Sequence, residues 1–188
     1  MAGENNSRIT VGPGRFSYAH VWQPYSGQSG DQPAKYQVAF LIPKKDKKTI
    51  AKVNAAIEEA KQRGKTSKWN NKVPSKLEIS FRDGDEERPD DPNYAGMMYV
   101  VAKSDRKPSI FDRNQNEIID QDEFYSGCTG FLMCDWFPYA GQKNGVACGL
   151  LAVVKTKNTE PFGAAKPTVE DVFADIDIED DEDDEDDL

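Results

Sequence analysis

Lys35-Tyr-Gln-Val-Ala-Phe-Leu-Ile-Pro-Lys-Lys-Asp46 runs a strand straight into the start of a helix. Tyr36, Val38, Phe40 and Ile42 share one face, the period of two that a strand imposes, and Pro43 ends the ladder because it has no N–H to donate. Asp46 is placed to cap a helix over residues 47–63, with Ile50, Val53, Ile57 and Ala60 on one stripe and Gly64 as its stop. Lys61 and Arg63 complement the dipole at the C-terminal end. No other segment carries a helical pattern of this quality.

On either side the chain reads as strands. Residues 8–11 and 15–22 are extended, separated by a kink at Gly12-Pro13-Gly14. In the second stretch Phe16, Tyr18, His20 and Trp22 alternate with Arg15, Ser17, Ala19 and Val21, and either set can face inward. Residues 24–33 form a Gly-, Ser-, Gln- and Pro-rich loop. Leu77, Ile79 and Phe81 make a short strand before a charged turn, Arg82-Asp-Gly-Asp85. The apolar run over residues 97–102 suits a strand buried on both faces. A short hairpin is expected around Asn114-Gln-Asn116, and residues 130–137 and 146–154 form two strands joined by the turn-rich loop 138–145. Many short strands, frequent turns and one helix predict a mainly β protein built as a small antiparallel barrel.

Charge divides the chain in two. The net charge of −9 comes from 24 basic and 33 acidic residues, and thirteen of those acidic residues lie in residues 170–188, where no basic residue occurs. The body therefore holds 24 basic against the remaining 20 acidic residues, a net of +4. Glu179, Asp180, Asp181, Glu182, Asp183, Asp184, Glu185, Asp186 and Asp187 are consecutive. Such a tail predicts disorder, and it can mimic a string of phosphates and occupy basic surface. Residues 1–7 are expected to be a flexible N-terminus, 8–156 one domain, and 157–169 a linker; a transient helix is expected over 168–178.

Catalytic readings are poorly supported. His20 is the single histidine and has no Cys or Ser motif around it, and Cys128, Cys134 and Cys148 lack the paired spacing of a zinc site. The acidic run Asp83, Asp85, Glu86, Glu87, Asp90 and Asp91 lies in a Gly- and Pro-punctuated loop, where carboxylates are ordinarily solvated. There is no phosphate-binding loop or dinucleotide fingerprint. No enzyme, metal or cofactor is expected. An odd number of cysteines without a secretory leader predicts reduced thiols in the cytosol, and no apolar run approaches the roughly 20 residues of a membrane helix.

Nucleic-acid binding fits more of the residues. Residues 44–82 hold twelve Lys and Arg against four acidic residues. Basic residues also sit beside aromatics on strands and loops, which is what a single strand requires: cations follow the phosphates and flat rings stack on bases. The candidate contacts are Arg15, Tyr18, Trp22, Lys35, Lys103, Arg106, Lys107, Trp136 and Tyr139. Trp136 can equally be core. Tyr139, in the 138–145 loop, is the better stacking candidate of the two.

Four segments, Arg15-Phe-Ser-Tyr-Ala-His20, Lys35 through Asp46, Arg82-Asp-Gly-Asp85 and Phe124-Tyr-Ser-Gly-Cys128, resemble the signature segments of a family of bacteriophage single-stranded DNA-binding proteins. The resemblance covers about residues 8–162. It implies an OB-fold, a five-stranded-type barrel with extra hairpins, one helix and an acidic C-terminal tail. It further implies coating and protection of single-stranded DNA, without strong sequence preference, during phage replication, recombination or repair in the cytoplasm of the infected bacterium. The tail would compete for the DNA groove, with duplex binding appearing on its removal, or recruit replication or recombination proteins. Two departures stand out: the tail ends in Leu188 rather than an aromatic residue, and the helix follows two or three strands, depending on whether residues 8–22 are one bent strand, where an OB-fold ordinarily places it between strands three and four. The rival reading is an acidic DNA mimic that inhibits a host DNA-binding protein.

Overall fold

The computed structural model describes residues 8–163 and 169–176; the flexible N-terminus expected over residues 1–7 and the disordered acidic run expected over 179–187 lie outside them. Strand β1, Arg8–Tyr25, is followed by β2, Lys35–Pro43, and helix α1, Lys47–Ser67. Two short strands, β3 (Glu78–Ile79) and β4 (Phe81–Asp83), lead into the one-turn helix α2, Gly84–Glu87. Then come β5 (Met97–Ser104), β6 (Ser109–Asp112), β7 (Thr129–Tyr139), β8 (Gly145–Lys157) and the short helix α3, Val169–Phe173. α3 falls within the helix expected over 168–178.

Five of these strands close on themselves in the order β8-β7-β1-β2-β5, with β5 pairing back onto β8. The ring is antiparallel except at its closure, where Ala102 and Lys103 run parallel to Cys148 and Gly149. A closed five-stranded barrel with this strand order is an OB-fold. The sheet is less purely antiparallel than expected, because β3 and β6 also pair parallel to β8. The short hairpin expected at Asn114 to Asn116 is present: Phe111 bridges to Glu117, the Asp112 N–H donates to the Asn116 carbonyl at 2.9 Å and the Ile118 N–H to the Ile110 carbonyl at 2.8 Å.

The barrel is filled by Phe16, Val38, Phe40, Ile42, Val100, Ala102, Phe124, Leu132 and Trp136, all buried. Phe16 packs against Phe40 and Phe124 at centroid separations of 5.0 and 4.8 Å, the tilted geometry that aromatic pairs favour. The face of β2 expected to be apolar is thus the inner one. Its outer face is covered too: Ala39 and Leu41 join Tyr94 and Tyr99 in a second buried cluster.

Asp46 caps α1 through the Thr49 N–H, as the sequence predicts. Gly64 does not stop it. The helix continues to Ser67, with Gly64 buried in its last turns against Pro138 and the Trp69 ring. A glycine is needed there for lack of space, so what reads as a terminator is a packing contact. Likewise residues 8–11 and 15–22 belong to one strand of 18 residues whose register shifts between Val11 and Gly14. The segment Arg82 to Asp85 is the end of β4 and the start of α2, not an open turn.

Candidate nucleic-acid interface

The outer surface of β1, β2 and β5 is laid out by register. His20 faces Gln37, which faces Lys103; Ser17 faces Ala39, which faces Val101. Between Ser17 and His20 the register slips, and Tyr18 takes a left-handed φ of 47°. This bulge resolves which face of the segment points inward: neither does throughout. Phe16 and Val21 are both buried although an odd number of residues apart, and Tyr18 is thrown outward, 49% exposed.

A shallow cleft of about 250 Å³ results, lined by Tyr18, His20, Tyr25, Gln28, Gln37, Val38, Ala39, Arg88, Val101 and Lys103. Arg88 is its central cation. Its guanidinium lies 4.9 Å from the Tyr18 ring centre, 5.1 Å from Tyr94 and 5.9 Å from Tyr99. It donates through Nη1 to the Tyr18 hydroxyl at 3.2 Å. Tyr94 is fixed in turn by donating to Ser17 Oγ at 3.0 Å. A guanidinium stacked on rings is held in orientation while its remaining N–H groups stay available to a phosphate.

The loop that delivers Arg88 is shaped by its own carboxylates. Asp83 and Asp85 both close on Lys44 at 2.7 Å. Asp85 also accepts from the Gly96 N–H, and Asp91 accepts from the Asn93 N–H. Hydrogen bonds from Lys44 hold both aspartates below the usual carboxylate range. Among the described residues no cluster is arranged to hold a metal ion. Asp83, Asp85 and Asp91 thus brace the loop that presents Arg88.

His20 stacks on Tyr25 with ring centres 4.1 Å apart and planes within 5°. Burial lowers its pKa, so at neutral pH it is an uncharged ring extending an aromatic platform. The three thiols are buried, and desolvation pushes Cys128 up to about 11, leaving it protonated rather than nucleophilic at neutral pH.

Of the nine residues singled out from sequence, Tyr18 and Lys103 share the cleft. Trp22 is half-buried: its indole N–H donates to the Phe124 carbonyl at 3.2 Å while the Lys107 ammonium lies 5.0 Å from its ring. Lys35, near the cleft's rim, pairs loosely with Asp105 at 3.8 Å, and Arg106 is exposed beside it.

Arg15, Trp136 and Tyr139 are placed differently. The Arg15 side chain donates to the carbonyls of Gly127 and Glu160 and lies 4.1 Å from the Phe162 ring, engaged by the C-terminal segment. Trp136 is 0% exposed, a core residue with no face for a base, and its backbone carbonyl accepts from Arg63 of α1. Tyr139 ends β7 instead of standing in a loop, with its ring against Gly145 and its carbonyl accepting from Trp69 Nε1. Strand β7 continues two residues past the expected end, with Pro138 and Tyr139 still paired to Val146 and Gly145 of β8 and Pro138 packed against Gly64 of α1. His20, Tyr25, Gln37 and Arg88 complete the cleft and are not among the residues that local pairing of aromatic and basic side chains marks. Arg88 is 70 positions from Tyr18 and sits among acidic residues, so only the loop brace brings the two together.

The sequence profile described as Enterobacter phage Enc34, ssDNA-binding protein, matches residues 7–187. Protein p50 of Acyrthosiphon pisum secondary endosymbiont phage 1 is 28% identical over 93% of this chain and 97% of its own length. Among solved structures, the single-stranded DNA-binding protein of bacteriophage Enc34 in complex with ssDNA superposes with a TM-score of 0.73. It is 28% identical, over 84% of this chain and 90% of that one. The gp2.5 single-stranded DNA-binding protein of bacteriophage T7 superposes with a TM-score of 0.60 at 18% identity, over 93% of this chain and 96% of that one, a likeness of fold alone. With 181 of its 188 positions inside the profile, the chain belongs to the family of the Enterobacter phage Enc34 ssDNA-binding protein.

Proposed function

We propose that this protein binds single-stranded DNA across the outer face of β1, β2 and β5, coating and protecting it without strong base preference. The observation that carries this is the convergence, on one sheet face, of Tyr18, the His20–Tyr25 stack, the ring-held Arg88 and Lys103. Rings offer every base a π-face, and Arg88 and Lys103 supply the phosphate charge. Trp22, Lys107, Lys35 and Arg106 extend the same path beyond the cleft. The relative solved with ssDNA, similar over most of both chains, supports the reading.

The role is one of binding, without catalysis or cofactor, in phage DNA replication, recombination or repair within the cytoplasm of the infected bacterium. The thirteen carboxylates of residues 170–188 compete with DNA for the basic face, so that removing their charge uncovers binding to duplex, and they offer an anionic surface to replication or recombination proteins. A fluorescence titration of the full chain with single-stranded, duplex and neutral-backbone oligonucleotides, across a salt series, tests this. Affinity should be highest for the single strand and fall with salt, with a logarithmic slope of about −0.7 per phosphate neutralised. Equal affinity for the neutral backbone, or a flat salt response, contradicts it.

A further inference from the structure

Beyond the end of β8 the chain does not leave the barrel. Residues 158–163 cross over the start of β7 to β1 and end on the second buried cluster. Thr159 Oγ1 bonds with Thr129 Oγ1 at 2.9 Å and also donates to the Gly127 carbonyl. The Thr159 carbonyl accepts from the Tyr125 hydroxyl at 2.8 Å. Arg15 then spans the crossing: Nε donates to Gly127, Nη2 donates to Glu160, and the guanidinium plane covers Phe162. The Phe162 N–H donates to Ser126 at 3.0 Å, and its ring packs on the cluster of Ala39, Leu41, Tyr94 and Tyr99. Gly127 has a φ of +114° and no room for a Cβ, because Pro161 and Phe162 pass directly over it.

We propose that Arg15 is a positioning residue that latches this strap and thereby roots the acidic tail beside the DNA cleft. The placement follows from shared residues. Phe162 packs on the buried cluster of Ala39, Leu41, Tyr94 and Tyr99, in which Ala39 also lines the cleft and Tyr94 and Tyr99 hold Arg88. Without the strap the last barrel-held residue is Lys157 on β8, which lies across β7 from β1. Strands are about 4.8 Å apart, so release moves the root on the order of 10–15 Å from β1 and the cleft. It also lengthens the tether to Glu179 from 17 residues to 22. Both changes lower the local concentration of carboxylate at the cleft, the longer tether alone by about 1.5-fold on a −3/2 power of length. The inference rests on the competition between tail and DNA proposed above.

Six full-length proteins test it: the parent and a neutral-tail chain, with the thirteen acidic residues of 170–188 changed Asp→Asn and Glu→Gln, each alone, with Arg15→Ala and with Phe162→Ala. Phe162→Ala, which removes the plug and leaves Arg15 intact, is the second lever. At low salt Arg15→Ala and Phe162→Ala should each raise single-strand affinity of the parent several-fold, approaching the neutral-tail chain. Neither should change the affinity of the neutral-tail chain. Hydrogen exchange at the Phe162 amide should accelerate in both variants, while the β1–β2 amides stay protected. If Arg15→Ala weakens binding in both tail backgrounds and flattens the salt slope, Arg15 is a phosphate contact and the proposal is wrong. If the neutral-tail chain binds tighter but neither substitution raises affinity, the latch fails and the competition stands. If neutralising the tail changes nothing, the competition itself fails and the latch has no function to serve.

Discussion

Tyr18 occupies a left-handed backbone conformation, φ 47°, that bulky residues adopt only where surrounding contacts fix them. Here its ring supports Arg88 and stands half-exposed at the cleft. Tyr18→Gly should therefore melt close to the parent, since glycine tolerates the conformation, yet bind single-stranded DNA about 1–3 kcal/mol more weakly. Arg88→Ala should lose a comparable amount and also reduce the salt slope by roughly one phosphate's share. Native affinity in thermally intact variants removes either residue from the interface. Residue type and local pairing pick out Tyr18 and Lys103, which the fold brings to one cleft, but the same rule picks out Trp136, which the fold buries. A basic-aromatic neighbourhood does not report which rings face inward, and at Trp136 the parity of β7 points inward beneath α1.

At the scale of elements, periodicity was readable wherever one rule governed a whole segment. The strand at Lys35, the capped helix at Asp46 and the inward set Val38, Phe40 and Ile42 follow directly from spacing. The pattern fails where a local event resets it: the bulge at Tyr18 inverts the parity of β1, so alternation before and after cannot both be right. Gly64 is the other case. Glycine in a helix ordinarily costs about 1 kcal/mol relative to alanine, which is why it reads as a stop. In the structure a Cβ there would lie 2.6 Å from both Pro138 and the Trp69 ring. The clash outweighs the propensity gain, so Gly64→Ala should lower the melting temperature, measured by circular dichroism; a higher one would mean that α1 can move off β7. Parallel pairing of β3, β5 and β6 with β8 was not legible at all, because alternation is the same in both directions.

Over the whole molecule, the −9 net charge is a composite of a +4 body and an acidic terminus. A DNA mimic would spread free carboxylates over its folded surface. On this barrel the most acidic loop turns Asp83 and Asp85 onto Lys44 and pushes Arg88 outward instead. Antiparallel pairing of β1 with β2 and of β2 with β5 sets the three strands side by side, so that residues from positions 18 to 103 form one surface. The family resemblance and the barrel were readable from sequence; the assembly of that surface depended on long-range strand pairing and on a loop whose charge disguised its role. The claim that DNA runs over this face is tested most directly by hydrogen exchange of the full-length protein with and without a saturating single-stranded oligonucleotide. Protection is expected at residues 18–25, 37–39, 88 and 101–103. Protection confined to the basic surface of α1 would contradict the account.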